Sequence, residues 1–222
     1  MVKPTNSSTV NKLAVFDVDW TMHPAALGTN FIHQLLLDGI VKADFDIEAT
    51  YAMWRENPGD TFMSHYKDLF TSLIGLHEDL LRPVAHKVGV DAAHNLYAYT
   101  KTELKKHKDD GRFVILISNS PSMALEAFAH EIGADDYSGG DFEFDTSGKL
   151  HTMHSTSERL KSSELERIAL LHNLTFDDSY GYGDSRDDIS MLELVTHPIA
   201  VSPKPELDVH AKAHDWEIVY VN

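Results

Sequence analysis

The sequence contains no cysteine and no long apolar segment. The lack of cysteine excludes disulfides, thiolate metal sites and a cysteine nucleophile, and it fits a reducing compartment, so we expect a cytoplasmic protein. The apolar runs are far shorter than the roughly 20 residues that a membrane-spanning helix needs, and the N-terminal stretch is polar. The sequence therefore predicts neither a secreted protein nor a membrane partner.

Basic residues are also scarce. The 222 residues include 19 lysines and arginines against 35 aspartates and glutamates, which gives a formal net charge of −16. A surface of that charge repels nucleic acid and anionic lipid, so we expect neither as a partner. An anionic substrate would need a site that creates positive potential locally. The length suits one large domain or a core with an inserted subdomain, and we expect a monomer or a homodimer.

The order of the apolar segments predicts an α/β fold. Residues 13–17 have the length and apolarity of a buried strand, and the apolar run at 113–117 is typical of a parallel strand buried on both faces. Strands and helices then alternate toward the C-terminus, which predicts a parallel sheet with helices on both faces. Residues 24–90 show helical spacing without strand alternation. We therefore expect a small α-helical cap at 24–90, inserted into an α/β core made of residues 1–23 and 91–222.

Local signals predict where three helices begin. Asp91 can cap a helix in the segment that precedes the second predicted strand. Pro121 can start the next helix, with Ser120 as its N-cap. Ser163 and Glu166 have the spacing of a capping box, which predicts a further helix start there.

Polar side chains follow three of the predicted strands, and a lysine stands just before a predicted helix. They are, in chain order, Asp17 with Asp19, Ser118 with Asn119, Lys161, and Asp184 with Asp188. In open parallel sheets ligands bind beyond the carboxyl ends of the strands, so we expect these side chains to converge. Each residue alone has an ordinary interpretation as a turn, a cap or a surface charge. Their combination in this order is far more specific and predicts phosphoryl transfer.

The first two aspartates can divide the covalent and proton-transfer steps. Asp17 would attack phosphorus and form an aspartyl-phosphate, while Asp19 would protonate the leaving oxygen and later deprotonate the attacking water. Thr21 would hydrogen-bond and orient the region around Asp17. Two carboxylates this close repel each other unless a cation lies between them, which indicates a metal-assisted site.

The remaining residues would bind the cation and the phosphoryl oxygens and compensate negative charge at the same site. Asp184 would hold Mg²⁺ together with Asp17, and Asp188, one helical turn further on, can face the same ion. Lys161 would offset carboxylate charge and bind a phosphoryl oxygen. Ser118 and the backbone N–H groups that lead into the next helix would bind the other oxygens. Positioning and charge stabilisation of this kind supply most of the catalysis in phosphoryl transfer.

These residues lie in four motifs that resemble those of the haloacid dehalogenase (HAD) superfamily, within its phosphoserine-phosphatase-like group (subfamily IB). The motifs are Asp17-Val-Asp-Trp-Thr21, Ile117-Ser-Asn-Ser-Pro121, the helix opened by Lys161, and Gly183-Asp-Ser-Arg-Asp-Asp188. The resemblance covers nearly the whole chain and implies a Rossmann-like core, a helical cap between the first two motifs and Mg²⁺ dependence. It also implies that the ion is bound by Asp17, the main-chain carbonyl of Asp19 and Asp184.

Two departures from that group bear on the substrate. Trp20 stands where a small residue is commoner, and Ala26 stands where phosphoserine phosphatases carry a glutamate that binds the substrate ammonium. Phosphoserine is therefore disfavoured as the substrate. We expect Trp20, Thr21, Asn119 and Arg55 to contact the substrate, with Arg55 as a bidentate partner for a carboxylate or a second phosphate.

The sequence predicts a Mg²⁺-dependent phosphatase that acts on a small phosphate monoester. The alternative enzyme is a phosphotransferase or mutase that uses the same aspartyl-phosphate. The alternative outside catalysis is a phosphate-responsive binding module. Such a module would be expected to lack Asp17, Asp19, Lys161 or Asp184, and the chain has all four. A dehalogenase is disfavoured, because its chemistry would not require the acidic pair Asp184 and Asp188.

Overall fold

A seven-stranded sheet forms the centre of the fold in a computed structural model that describes residues 11–56, 65, 68–154 and 160–222. The strands are β1 (Asn11–Phe16), β2 (Phe113–Pro121), β3 (Asp136–Phe144), β4 (Leu150–His154), β5 (Leu174–Gly183), β6 (His197–Val201) and β7 (Glu217–Val219). Their order is β4-β3-β2-β1-β5-β6-β7. Neighbouring strands are parallel except β3 and β4, which form an antiparallel hairpin. The predicted α/β fold with a parallel sheet is confirmed.

Helices connect the strands. They include α1 (Leu27–Leu37), α2 (Ile47–Glu56), α3 (Glu78–Ala93), α4 (Ala98–Asp109), α5 (Ser122–Ile132), α6 (Lys161–His172), α7 (Ile189–Leu192) and α8 (Pro205–Ala213), with a 3₁₀ turn at Arg186–Asp188. Among the residues described, no helix combines the length and the apolarity that crossing a membrane requires.

Strand β1 lies at the centre of the sheet and is buried on both faces. Ala14 and Phe16 belong to the apolar cluster that includes residues of α1, α3 and α5, whereas Leu13 and Val15 belong to the cluster that includes residues of α6, α7 and α8. All four side chains are fully buried. Because strand side chains alternate between faces, a strand covered on both sides needs an uninterrupted apolar run.

The register of the central strands brings their carboxyl ends to one edge of the sheet. Phe16 at the end of β1 pairs with Leu116 of β2 and with Tyr182 of β5. The residues that follow these three positions therefore emerge side by side, although they are distant in the chain. This is the geometric basis of the convergence that the sequence predicts.

The segment from residue 24 to residue 90 contains α1, α2 and most of α3. Phe31 of α1 and Leu81 of α3 belong to the same apolar cluster as Phe16 of β1, so these helices pack on the face of the sheet. Gly89 of α3 lies so close to α5 that an added Cβ would collide with the carbonyl oxygen of Ala124.

The predicted helix start at Asp91 is wrong. Asp91 lies within α3, which runs without a break to Ala93, and the next helix starts at Ala98. The apolar face of α3 continues past Asp91, because Ala92 and Ala93 are buried. Burial of this face, rather than the capping tendency of the aspartate, decides where the helix ends.

Candidate active site

Asp17 directly follows β1 at the carboxyl edge of the sheet. Its backbone N–H donates to the carbonyl oxygen of Tyr182 in β5 at 2.9 Å. Its buried side chain accepts a hydrogen bond at Oδ1 from Lys161 Nζ at 2.7 Å. Lys161 is the first residue of α6 and also donates to Asp188 Oδ1 at 2.6 Å. One buried ammonium group thus joins residues from three of the predicted motifs.

Three buried carboxylate groups lie close together beside Lys161. Oxygen atoms of Asp17, Asp184 and Asp188 lie within 4.8 Å of one another. The second oxygen of Asp188 accepts hydrogen bonds from the backbone N–H groups of Asp184 at 3.0 Å and Ser185 at 2.9 Å, which fix its orientation. Gly183 makes this packing possible, because a Cβ there would lie 2.5 Å from Asp188 Cβ.

Burial and mutual repulsion perturb the carboxyl groups. Burial raises the pKa of Asp17 well above its usual range, and the carboxylates of Asp188 and Asp184 add to this rise against the opposing effect of Lys161. Burial also raises the pKa of Asp184 to about 6, although Lys204 lowers it. Burial would lower the pKa of Lys161, yet the neighbouring carboxylates outweigh burial and raise it. The cluster therefore favours an additional cation, or protons in its place.

The donor atoms of the cluster fit a divalent cation. The oxygens contributed by Asp17, Asp184 and Asp188 are all carboxylate oxygens, which hard ions such as Mg²⁺ prefer. The predicted metal ligands among the side chains are thus brought together, with the exception of Asp19.

The carboxylate of Asp19 has a separate set of partners. Its Oδ1 accepts a hydrogen bond from the backbone N–H of Leu27 at 2.9 Å. Its Oδ2 accepts from the hydroxyls of Ser120 at 2.6 Å and Ser118 at 3.2 Å. Three donors thus hold this carboxylate, and its oxygens are not among those of the Asp17, Asp184 and Asp188 cluster. The predicted ligand from Asp19 is its main-chain carbonyl, and that remains a prediction.

The predicted role of Ser120 as the N-cap of the following helix is wrong. Helix α5 begins at Ser122, its N-cap is Pro121, and no side chain caps it. The hydroxyl of Ser120 instead donates to Asp19 Oδ2. Sequence reasoning placed Ser120 beside the site but assigned it only the local role of an N-cap.

Lys204 is a site residue that sequence reasoning missed. Its Nζ lies 2.9 Å from Asp184 Oδ2, and its backbone N–H donates to the carbonyl oxygen of Asp184 at 2.7 Å. Lys204 stands just beyond β6, so the strand-end rule that located the other residues could have located it as well. Together with Lys161 it places positive charge in a site of an otherwise acidic protein.

Trp20 adopts a left-handed backbone conformation, in which glycine is the favoured residue. Its φ angle is +67°, in the left-handed region, where a residue with a Cβ costs about 1–2 kcal/mol. Its backbone N–H donates to the carbonyl oxygen of His23 at 2.9 Å, which closes the turn after Asp19. The side chain is half-buried.

The other predicted substrate contacts have different surroundings. Thr21 is buried, and within the described part of the chain its hydroxyl has no hydrogen-bond partner, so the predicted bond to the Asp17 region is not observed. Asn119 is exposed and donates to Asp187 Oδ2 at 3.0 Å, next to Asp188. The side chain of Arg55 lies outside the described residues.

Comparison with known proteins indicates one family. A family model described as haloacid dehalogenase-like hydrolase matches residues 14–193. A histidinol-phosphatase from Neisseria meningitidis serogroup C (strain 8013) is 26% identical over 122 residues, which cover 52% of this chain and 55% of that protein. The match thus spans about half the length of this curated relative.

Two solved structures share the fold. A protein of unknown function from Bordetella pertussis Tohama I has a TM-score of 0.74 at 22% identity, with 95% of this chain and 99% of that chain covered. A phospho-aspartyl intermediate analogue of phosphoserine phosphatase has a TM-score of 0.63 at 20% identity, with 96% and 94% covered. At these identities the likeness shows the fold.

Proposed function

The chain belongs to the haloacid dehalogenase-like hydrolases, and on this premise we propose that it is a Mg²⁺-dependent phosphatase that hydrolyses a small phosphate monoester through an aspartyl-phosphate. The observation that carries the proposal is the pairing of Asp17 with Lys161. One oxygen of the Asp17 carboxylate is bound to Lys161 Nζ at 2.7 Å, and the other is buried without a hydrogen-bond partner among the described residues. Such a carboxylate is held in place and has one oxygen free for attack.

In the first step, the free oxygen of Asp17 attacks phosphorus and the bond from phosphorus to the ester oxygen breaks. Protonated Asp19 gives its proton to that leaving oxygen, so an alcohol departs and Asp19 becomes a carboxylate. In the second step, Asp19 takes a proton from water as the water oxygen attacks phosphorus. The bond between phosphorus and Asp17 then breaks, which releases phosphate and restores both aspartates.

The charged residues around Asp17 support this chemistry. Asp17, Asp184 and Asp188 would hold Mg²⁺, with the main-chain carbonyl of Asp19 as a further predicted ligand. The bound ion would supply positive charge to the phosphoryl oxygens and neutralise the carboxylates. Lys161 offsets the charge of Asp17 and Asp188 and orients both through hydrogen bonds of 2.7 and 2.6 Å. A lysine whose neighbours raise its pKa stays charged at neutral pH, as this role requires.

The substrate in this proposal is a small phosphorylated molecule. The similarity to a histidinol-phosphatase supports a phosphate monoester, because the name of that relative describes this class of reaction. We propose that the helical segment 24–90, of which α1 and α3 also pack on the face of the sheet, forms a cap that covers the substrate. We also propose that Trp20, Thr21, Asn119 and Arg55 contact the substrate. Ala26, in place of a glutamate, continues to disfavour phosphoserine.

The proposal is tested by phosphate release from a panel of phosphate monoesters with Mg²⁺. The panel includes an aryl phosphate and amino-acid, sugar, lipid-headgroup and nucleotide phosphates. Asp17→Asn should abolish release from every ester that the wild type hydrolyses, because an amide cannot replace the nucleophilic carboxylate. Asp177→Asn, at an exposed aspartate of β5, is the matched control and should retain activity. Full activity in Asp17→Asn would contradict the mechanism.

The same assay separates the alternatives. Transfer of the phosphoryl group to an added acceptor alcohol, in place of water, would identify a phosphotransferase or mutase. The absence of turnover across the panel, together with tight capture of a protein partner, would identify a binding module.

A further inference from the structure

The hydroxyl of Ser120 has two partners that fix the direction of its hydrogen bonds. The backbone N–H of Gly28 donates to Ser120 Oγ at 2.9 Å, and Ser120 Oγ lies 2.6 Å from Asp19 Oδ2. A backbone N–H can only donate, so the serine oxygen accepts there and its single hydrogen is left for Asp19. Ser120 is 3% exposed, so water does not compete for this hydrogen.

The first turn of α1 is tied to both oxygens of Asp19. The N–H of Leu27 donates directly to Asp19 Oδ1 at 2.9 Å, while the N–H of Gly28 reaches Oδ2 through Ser120. The N-cap residue of α1, Ala26, offers no side-chain acceptor. These two N–H groups at the helix start, which lack partners within the helix, are therefore satisfied by Asp19 and Ser120.

Ser120 is also held by Ser118, a second serine of the same strand, β2. Its backbone N–H donates to Ser118 Oγ at 3.0 Å, and that hydroxyl itself lies 3.2 Å from Asp19 Oδ2. Two serines of one strand end thus approach the same carboxylate oxygen, and Ser120 makes the shorter contact. The arrangement leaves the Asp19 carboxylate little rotational freedom about its χ2 torsion.

We propose that Ser120 is a positioning residue that holds the Asp19 carboxylate for proton transfer to the leaving oxygen and links it to the start of α1. The inference rests on the proposed phosphatase function. Ser120 acts through Asp19, which carries the proton to the ester oxygen as the bond from phosphorus breaks. Without the serine hydroxyl, Asp19 Oδ2 would lose its shortest hydrogen bond and the N–H of Gly28 would lose its acceptor.

The leaving group provides a test that separates positioning from general damage. An alkyl alcohol leaves poorly and needs protonation, whereas nitrophenolate leaves readily without it. The ratio kcat/KM reports only the steps through departure of the leaving group, so the later hydrolysis of the aspartyl-phosphate does not enter. Ser120→Ala should lower kcat/KM by about 100-fold for an alkyl phosphate, the effect of misplacing a reacting group. For nitrophenyl phosphate we expect a loss below about fivefold, since general acid catalysis contributes little there.

Three further variants complete the test. Ser120→Thr retains the hydroxyl and should restore most of the alkyl phosphate activity. Ser120→Cys keeps the shape with a weak donor and should show the same selective loss, which carries the test if Ser120→Ala does not fold. Ser138→Ala is the matched control, because Ser138 is a buried serine of β3 that donates to Glu164 Oε2 at 3.0 Å. It should change both esters equally.

The outcomes distinguish this inference from the function on which it rests. If the wild type hydrolyses neither ester, the proposed phosphatase function fails and this inference fails with it. If the wild type hydrolyses both esters and Ser120→Ala and Ser120→Cys lose activity equally on both, or lose none, the phosphatase function stands and the positioning role is refuted.

Discussion

The substitution Lys161→Met gives a quantitative test of the charge arrangement. Methionine approximates the length of lysine and removes its charge. The ammonium lies 2.7 Å from Asp17 Oδ1 and 2.6 Å from Asp188 Oδ1, and the three side chains are 4%, 6% and 0% exposed. Removing one partner of a buried ion pair costs about 3–5 kcal/mol, because the other charge is left uncompensated. Here two carboxylates are left, so we expect a loss at the upper end of that range.

Mg²⁺ should compensate for part of this loss if the carboxylates form its site. An ion that binds only the folded state adds about 2.7 kcal/mol at about 100 times its Kd. The stabilisation by Mg²⁺ should be at least as large in Lys161→Met as in the wild type, because more negative charge is left uncompensated. Activity should nevertheless stay low, since the lysine orients Asp17.

The assay is urea unfolding followed by circular dichroism, once with a chelator and once with saturating Mg²⁺. Lys212→Met is the control, since Lys212 is an exposed lysine that pairs with Asp208 at 2.6 Å, and such surface pairs contribute about 0–1 kcal/mol. A double variant, Lys161→Met with Asp188→Asn, removes one of the stranded charges and should recover part of the stability. If Lys161→Met costs no more than the Lys212 control in chelator, the buried cation does not hold the carboxylates as described.

Three further predictions follow from the same geometry. Chelation of divalent cations should abolish ester hydrolysis and added Mg²⁺ should restore it; activity that survives chelation would exclude the proposed cofactor. Gly183→Ala should weaken Mg²⁺ binding by about tenfold or more, because the new Cβ would lie 2.5 Å from Asp188 Cβ and displace the Asp188 carboxylate. Calorimetric titration measures the affinity, and an unchanged affinity would contradict this role of Gly183. Burial lowers the pKa of His107 from 6.5 to about 4, so the unfolded chain takes up the proton first as the pH falls. The free energy of unfolding of the wild type should therefore fall by about 2–3 kcal/mol as the pH falls from about 6.5 to about 4. His107→Gln should not show this part of the fall when its unfolding is measured at the same two pH values.

Long apolar strands and the edge to which they lead were predictable from the sequence. The buried runs of β1 and β2 have a composition that few other elements share, and a parallel sheet gathers whatever follows such strands. That reasoning placed Asp17 and Asp184 in one site, and Lys161 was expected to join them from the start of a helix. The structure brings the three together. The metal and catalytic roles of these residues remain predictions.

Local capping signals were a weaker guide. The capping box expected at Ser163 and Glu166 is wrong, because α6 begins at Lys161 with Leu160 as its N-cap and no capping side chain. Starting the helix at Lys161 places the lysine where it meets Asp17 and Asp188. The ion pairs of Lys161 join residues that are distant in the chain, so the local sequence around the helix start does not reveal them.

Ser120 and Lys204 also make contacts that the local sequence does not predict. Each is a polar residue beside a proline, with an ordinary local explanation. Their contacts with Asp19 and Asp184 join segments distant in the chain, and such contacts follow from the packing of α1 and β6 rather than from spacing. The strand-end rule indicates where to look for such residues, and the structure decides which of them reach the site.

The central claim is that Asp17 carries the phosphoryl group during turnover. The most direct measurement is mass spectrometry of peptides from the Mg²⁺-loaded protein, quenched in acid during a single turnover of a phosphate ester. We predict one phosphoryl group on the peptide that contains Asp17, sensitive to hydroxylamine and absent from Asp17→Asn. Turnover with the phosphoryl group on a different residue, or with no phosphorylated protein at any quench time, would contradict the account.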